Sequence, residues 1–225
     1  MKGVFITGTD TGVGKTLVAC AWILAARRAG WRCGAMKPVA AGAAGHGGAL
    51  SNADTDAMLR ALGWPAERAS LVTPILLREP IAPHIAASLE RRTIDRAEIL
   101  DAFARIADEN EFTVVEGVGG FRVPLDDHRD TADLARDLGL PVVMVVGLRL
   151  GCLNHALLTA ESVERAGLRL AGWVANAIVA DMPYRDDNIE ALDRRLGAPH
   201  IGTIPFMERP DAERASRHLR IELAV

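Results

Sequence analysis

Cysteine is scarce in this chain of 225 residues: Cys20, Cys33 and Cys152 are odd in number, scattered and without Cys-x-x-Cys spacing. That argues against a disulfide framework and against a thiolate zinc site, and it favours a reducing, cytoplasmic setting. Charge of one sign is lacking as well, with 26 Lys and Arg against 29 Asp and Glu and a net charge of −3. No basic excess points to nucleic acid or to an acidic membrane surface. No apolar run approaches the roughly 20 residues that span a bilayer, and the first strand-like run begins at Val4, leaving no room for a signal peptide. Linkers, repeats and low-complexity segments are absent too. A single domain over residues 1–225 is therefore expected, and a chain of this size buries roughly 70% of its unfolded surface.

What is present starts with Gly8-Thr-Asp-Thr-Gly-Val-Gly-Lys-Thr16. It follows the β-branched run Val4–Thr7 and leads into an apolar helical face from Leu17 to Ala25, so the order is strand, glycine-bearing loop, helix. A phosphate-binding loop needs this context: glycines let N–H groups turn inward, and a helix start offers unpaired donors at a positive dipole end. Lys15 can then reach the β- and γ-phosphates, and the Thr16 hydroxyl can ligate magnesium. The spacing has one irregularity, because Thr9 takes the position of the first glycine and Gly8 lies one residue earlier.

Further along, Arg32–Met36 reads as a second strand halted by Lys37-Pro38, which places Lys37 on the edge where open α/β sheets bind ligands. Residues 40–52 are rich in Gly and Ala and read as a mobile loop over the site. Asp54-Thr55-Asp56 opens a helix, with a carboxylate at the N-cap and with Asp54 or Asp56 as a metal candidate. Leu71–Leu77 looks like a strand, but Pro74 makes it an edge or irregular one. Phe112–Glu116 is a short buried strand ending in a carboxylate, followed by Gly117-Val118-Gly119-Gly120, where nucleotide hydrolases place a second acidic magnesium ligand. Strands over 142–147, 170–176 and 201–204 alternate with helices over 131–138, 153–166 and 186–196. The last of these is followed by a C-terminal helix from about Asp211. About seven strands in a doubly wound, mainly parallel α/β sheet with helices on both faces result, a P-loop NTPase-like fold.

Taken together, the motifs resemble the dethiobiotin synthetase family, the ATP-dependent ring-closing enzymes of biotin synthesis. The resemblance runs through Thr7–Thr16, Lys37-Pro-Val-Ala-Ala-Gly42, Asn52-Ala-Asp54, Pro83-His84, Val115–Gly120, Leu150–Ala156, Gly172–Asn176 and Gly202–Pro205. It implies that 7,8-diaminononanoate and carbon dioxide are joined by way of a carbamate and a carbamic-phosphoric anhydride, with ATP and Mg2+ as cofactors. By the same resemblance Thr16, Asp54 and Glu116 hold magnesium, and Lys15 and Lys37 are catalytic. Gly12, Val13, Gly14, Lys15, Thr16 and Leu17 cradle the phosphates, while Glu116, Gly117, Val118 and Gly119 line the space between nucleotide and substrate. Asn176, Ala177, Pro205, Phe206 and Met207 meet adenine. Thr9, Lys37 and Ala41 face the substrate, whose distant carboxylate is received by Gly151, Cys152 and Asn154 from the partner of a homodimer. No nucleic acid and no membrane are implied as partners.

Two departures stand out: Gly12 where some relatives have glutamate, and Ala41 where a hydroxyl residue is common. A partitioning-type P-loop ATPase is the alternative, but such proteins carry a lysine early in the loop, where this chain has Asp10. The ATP-binding half of a cobyrinate amidase would need a glutaminase domain, for which 18 residues after Met207 do not suffice. A simple kinase leaves the Lys37 and Gly-Cys-Leu-Asn loops unexplained.

Overall fold

Successive side chains of a strand point to opposite faces of a sheet, and in the central strands of this chain both sets are apolar. In the structure, a computed structural model that describes residues 2–46 and 49–223, those runs become a parallel sheet covered on both sides. The elements in chain order are β1 (Lys2–Gly8), α1 (Lys15–Arg28), β2 (Cys33–Met36), β3 (Val39–Ala41), β4 (Ala44–His46), β5 (Ala49–Ser51) and α2 (Ala53–Leu62). There follow α3 (Ala69–Val72), β6 (Ile75–Leu77), α4 (Pro83–Leu89), α5 (Arg96–Glu109), β7 (Phe112–Glu116) and α6 (Thr131–Leu138). The chain continues through β8 (Val142–Leu148), α7 (Cys152–Arg165), β9 (Leu170–Ala177), α8 (Arg185–Arg195), β10 (His200–Ile204) and α9 (Ala212–Ser216).

Six strands form the main sheet in the order β10-β9-β8-β1-β7-β2, all parallel. The period-two split is plain along β8: Val143 and Val145 join the core under α1 and α2, whereas Met144 and Val146 face α7 and α8. Likewise Val4 and Ile6 of β1 lie on the α1 side, and Phe5 packs toward α5 and α6. Helix starts follow their chemistry. Asp95 caps α5 by accepting the Ala97 N–H at 2.8 Å, and Asp130 with Asp133 makes a capping box on α6.

Three expectations need correction. The main sheet has six strands rather than about seven, because Leu71 and Val72 are helical in α3 and only Ile75–Leu77 is extended. Pro74 has no N–H for a ladder, and the segment instead threads past Lys37 and Pro38, with Lys37 N donating to Val72 O at 2.8 Å and Ile75 N to Pro38 O at 3.2 Å. β6 then pairs in parallel with β3 in a separate two-stranded sheet. The stretch 40–52 is partly strand, since β4 and β5 pair antiparallel; residues 47 and 48 lie outside the described residues. Finally, the N-cap of α2 is Asn52, whose Oδ1 accepts the Asp54 N–H at 3.0 Å, so that Asp54 sits in the first turn. The remaining boundaries agree with the sequence reading within two residues.

Candidate active site

The loop between β1 and α1 closes over its own backbone. Gly8 permits this, since a Cβ there would lie 3.1 Å from both the Asp10 carbonyl oxygen and Lys15 Cδ. Gly14 caps α1 at φ 91°, a conformation that suits glycine, and a Cβ on it would meet Asn176 Nδ2 at 2.2 Å. No side chain caps α1, so its first-turn N–H groups stay free for an anion. Lys15 is 7% exposed and donates from Nζ to Asp10 O at 3.0 Å. Burial draws its pKa down to about 8, against the pull of Glu116.

Beside this loop the ends of β2 and β7 and the starts of α1 and α2 bring four side chains together. Lys37, directly after β2, is 3% exposed and places Nζ 2.6 Å from Glu116 Oε1 and 2.9 Å from Asp54 Oδ2; it also donates to Gly117 O at 3.2 Å. Thr16 Oγ1 lies 2.8 Å from Asp54 Oδ1 and 2.9 Å from Glu116 Oε1. A hydroxyl has one proton and serves one of these carboxylates at a time. Glu116 Oε2 is buried without a partner. Burial pushes the Glu116 pKa up, although Lys37 works the other way. For Asp54 the burial cost is outweighed by Lys37, and its pKa falls. Burial also opposes the Lys37 charge, yet Glu116 and Asp54 together overcome it and hold the ammonium above its ordinary range.

A cleft of about 810 Å³ opens above these groups. Lys15, Thr16, Lys37, Asp54 and Glu116 line it together with Arg122 and with the apolar Ala41, Ile81, Ala82, Val118 and Val123. A second cavity of about 200 Å³ shares Gly12 and Gly14 with the first and is bounded by Leu17, Asn176, Ala177, Pro205, Phe206 and Met207. There Asn176 Nδ2 donates to Val13 O at 2.8 Å, so the amide braces the phosphate loop as well as lining the cavity.

Most residues singled out from sequence thus converge. Thr9 is not among the residues that line the cleft; its N–H donates to Val145 O at 3.0 Å, and Thr11 takes the lining position. Val13 is buried beneath the loop, and Gly117 lies against Phe5, offering only its carbonyl to Lys37. Gly151, Cys152 and Asn154 do not line the cleft of their own chain. The cysteines are free and buried, and burial pushes Cys20 up to about 12 and Cys33 up to about 11, so neither supplies a thiolate.

Among solved structures, the chain aligns over 99% of its length with a chain of the MinC:MinD cell division complex of Aquifex aeolicus, at 17% identity and a TM-score of 0.55, covering 88% of that chain. A signal recognition particle 54 kDa protein from Aeropyrum pernix aligns at 16% identity and TM-score 0.55, over 99% of this chain and 46% of that one. At such identities the likeness shows the fold alone, an α/β P-loop NTPase-like architecture. The family model of an AAA domain matches residues 2–214. The ATP-dependent dethiobiotin synthetase BioD of Janthinobacterium sp. (strain Marseille) is 49% identical over 219 residues, 96% of this chain and 92% of the relative. That of Ralstonia nicotianae is 50% identical over 217 residues, 96% of this chain and 94% of the relative. The chain belongs to the dethiobiotin synthetase family.

In this member of the dethiobiotin synthetase family, sequence reasoning gave no site role to Pro80–Pro83 or to the pair Arg122 and Val123, all of which line the cleft. No spacing rule marks such residues, because the wall is assembled from segments far apart in the chain. No helix among the described residues is long and apolar enough to cross a membrane.

Proposed function

We propose that the chain is an ATP-dependent ligase that closes the ureido ring of dethiobiotin from 7,8-diaminononanoate and carbon dioxide. One amine adds to carbon dioxide with loss of a proton, giving a carbamate. A carbamate oxygen attacks the ATP γ-phosphorus and ADP leaves. The second amine then attacks the carbamoyl carbon, phosphate departs, and loss of a proton leaves the cyclic urea. The observation that carries this reading is the cluster of buried Lys37 and Glu116 with the partly exposed Asp54 and Thr16, in a cleft that apolar residues also line and in a chain half identical to named synthetases.

Each step develops negative charge on oxygen, and the residues suit that demand. Lys37 retains its ammonium because two carboxylates outweigh its burial, so a fixed cation faces the carbamate and the anhydride in a site of low dielectric. Lys15 and the N–H groups of residues 12–17 would hold the β- and γ-phosphates. Asn176, Ala177, Pro205, Phe206 and Met207 would enclose adenine, with Ala41, Val118 and Gly119 on the substrate side. Magnesium also fits: Thr16, Asp54 and Glu116 provide hard oxygen donors, and the partnerless Glu116 Oε2 has capacity to coordinate. Bound there, the ion would offset phosphate charge as a Lewis acid.

The proposal includes a second copy of the chain, whose Gly151, Cys152 and Asn154 would take the substrate's distant carboxylate at the start of α7. The free helix start, with Gly151 at φ 94° and no side-chain cap, favours an anion there. Light scattering is expected to give a dimer, and Asn154→Ala to raise KM for the diamine and not for ATP. The reading as a whole is tested by phosphate release from MgATP and bicarbonate with and without 7,8-diaminononanoate, with mass detection of the product. Diamine-dependent release with the cyclic urea is expected. Steady hydrolysis indifferent to the diamine would instead favour a partner-switching ATPase.

A further inference from the structure

Asp10 stands at the tip of the phosphate loop with three of its atoms engaged. Its Oδ1 accepts the Thr11 N–H at 2.7 Å, its Oδ2 accepts Arg149 Nη2 at 2.6 Å, and its carbonyl accepts Lys15 Nζ at 3.0 Å. Arg149 is engaged at both ends. While its guanidinium holds Asp10, its backbone carbonyl accepts the Cys152 N–H at 3.0 Å in the turn that starts α7. Parallel pairing of β1 with β8 makes this possible, since Gly8 aligns with Val145 and the two loops leave the sheet side by side.

We propose that Arg149 is a positioning residue for the nucleotide phosphates, acting through Asp10. The inference rests on the phosphate-binding reading of residues 12–17. The Asp10–Thr11 peptide sets both the carbonyl on which Lys15 rests and the direction in which the loop continues. Beyond it lie Gly12 at φ 75° and Gly14 at φ 91°, the residues freest to relax when the tip is released. Arg149 holds that peptide from outside, so the loop keeps its shape before a phosphate arrives and loses less freedom on binding. The pair is half exposed, with side-chain exposures of 43% and 47%. Such a pair adds little to global stability, which separates its effect on the loop from an effect on the fold.

The test uses the full chain and three variants, Arg149→Ala, Arg149→Lys and Asp10→Asn. Calorimetric binding of MgADP and of the diamine is measured beside the melting temperature. Arg149→Ala and Asp10→Asn are expected to weaken ADP about five- to tenfold, to leave diamine binding within about twofold, and to leave the melting temperature within roughly 2 °C. Arg149→Lys, which keeps a cation within reach of Oδ2, is expected to restore most of the ADP affinity. The proposal is overturned by ADP binding in Arg149→Ala within about twofold of the parent, by a lysine variant as weak as the alanine one, or by a melting temperature that falls in step with affinity. ADP affinity reads the phosphate loop whether or not the diamine is the substrate. A parent chain that fails to bind ADP would remove the nucleotide reading itself, and this inference with it.

Discussion

The phosphate loop has two neighbours along the sheet edge, and they are built from opposite chemistry. Toward β7 and β2 lie Lys37, Asp54, Glu116 and Thr16, a charged cluster in which Glu116 is 1% exposed. Toward β9 and β10 lies one neutral amide, Asn176, braced on Val13 O among Ala177, Pro205, Phe206 and Met207. Buried charge is costly unless paired, and a chain tolerates it where charge will develop during a reaction. A site that only has to hold a flat ring needs shape and a satisfied hydrogen bond. Under the proposed function, chemistry falls to the charged flank and recognition to the neutral one. β1 lies between them, at the point where strand order reverses direction, which is where open parallel sheets bind ligands.

The largest expected break in that comparison comes from Lys37→Ala. Turnover is expected to fall about 10²- to 10³-fold, with ADP affinity changed only a few-fold, read by single-turnover phosphate release and calorimetry. Wild-type turnover in that variant would move the chemistry off the charged flank. Glu116→Gln keeps the shape and removes one charge. Lys37 still has Asp54, so folding should persist, while the magnesium needed for half-maximal rate is expected to rise at least about tenfold in a metal titration. An unchanged magnesium requirement would take Glu116 out of the proposed metal site.

On the other flank, Asn176→Ala removes a neutral hydrogen bond and frees the Val13 carbonyl, a loss of ~1–2 kcal/mol. KM for ATP is expected to rise about tenfold with kcat nearly unchanged, the reverse of the Lys37 pattern. A drop in kcat without a change in KM would erase the distinction between the flanks. The smallest effect concerns His200, stacked on Trp173 with ring centroids 4.2 Å apart. Burial lowers its pKa below the ordinary 6.5, although the Gly202 carbonyl works the other way. The neutral ring is therefore favoured in the fold. The stability it contributes is present above pH 6.5 and is lost as pH falls through the folded-state value. The melting temperature of the parent chain should drop more steeply on acidification than that of His200→Phe; parallel curves would show that the ring makes no difference.

Local pattern was enough wherever one segment contains its own reason. The strand-loop-helix around Gly8–Thr16, the buried run ending at Glu116 and the helix over 131–138 were all legible, because spacing and period act within a few residues. Leu71–Leu77 was misread for the opposite reason. Its apolar run suits a strand, but its partners are Pro38 and β3, more than thirty residues away, and they take up only Ile75–Leu77 as a strand.

The amino-acid sequence by itself determined the P-loop, the parallel α/β order and the list of polar residues at strand ends, since these follow from side-chain type and period. Tertiary structure alone decided how those residues meet. It turned Lys37 from a loop lysine into a buried cation between two carboxylates, set Asn176 against Val13, and joined Asp10 to Arg149 across two loops. The physical reason is that pairing and burial belong to the space between segments: the parallel order of β10-β9-β8-β1-β7-β2 brings distant strand ends to one edge, and no single segment contains that arrangement.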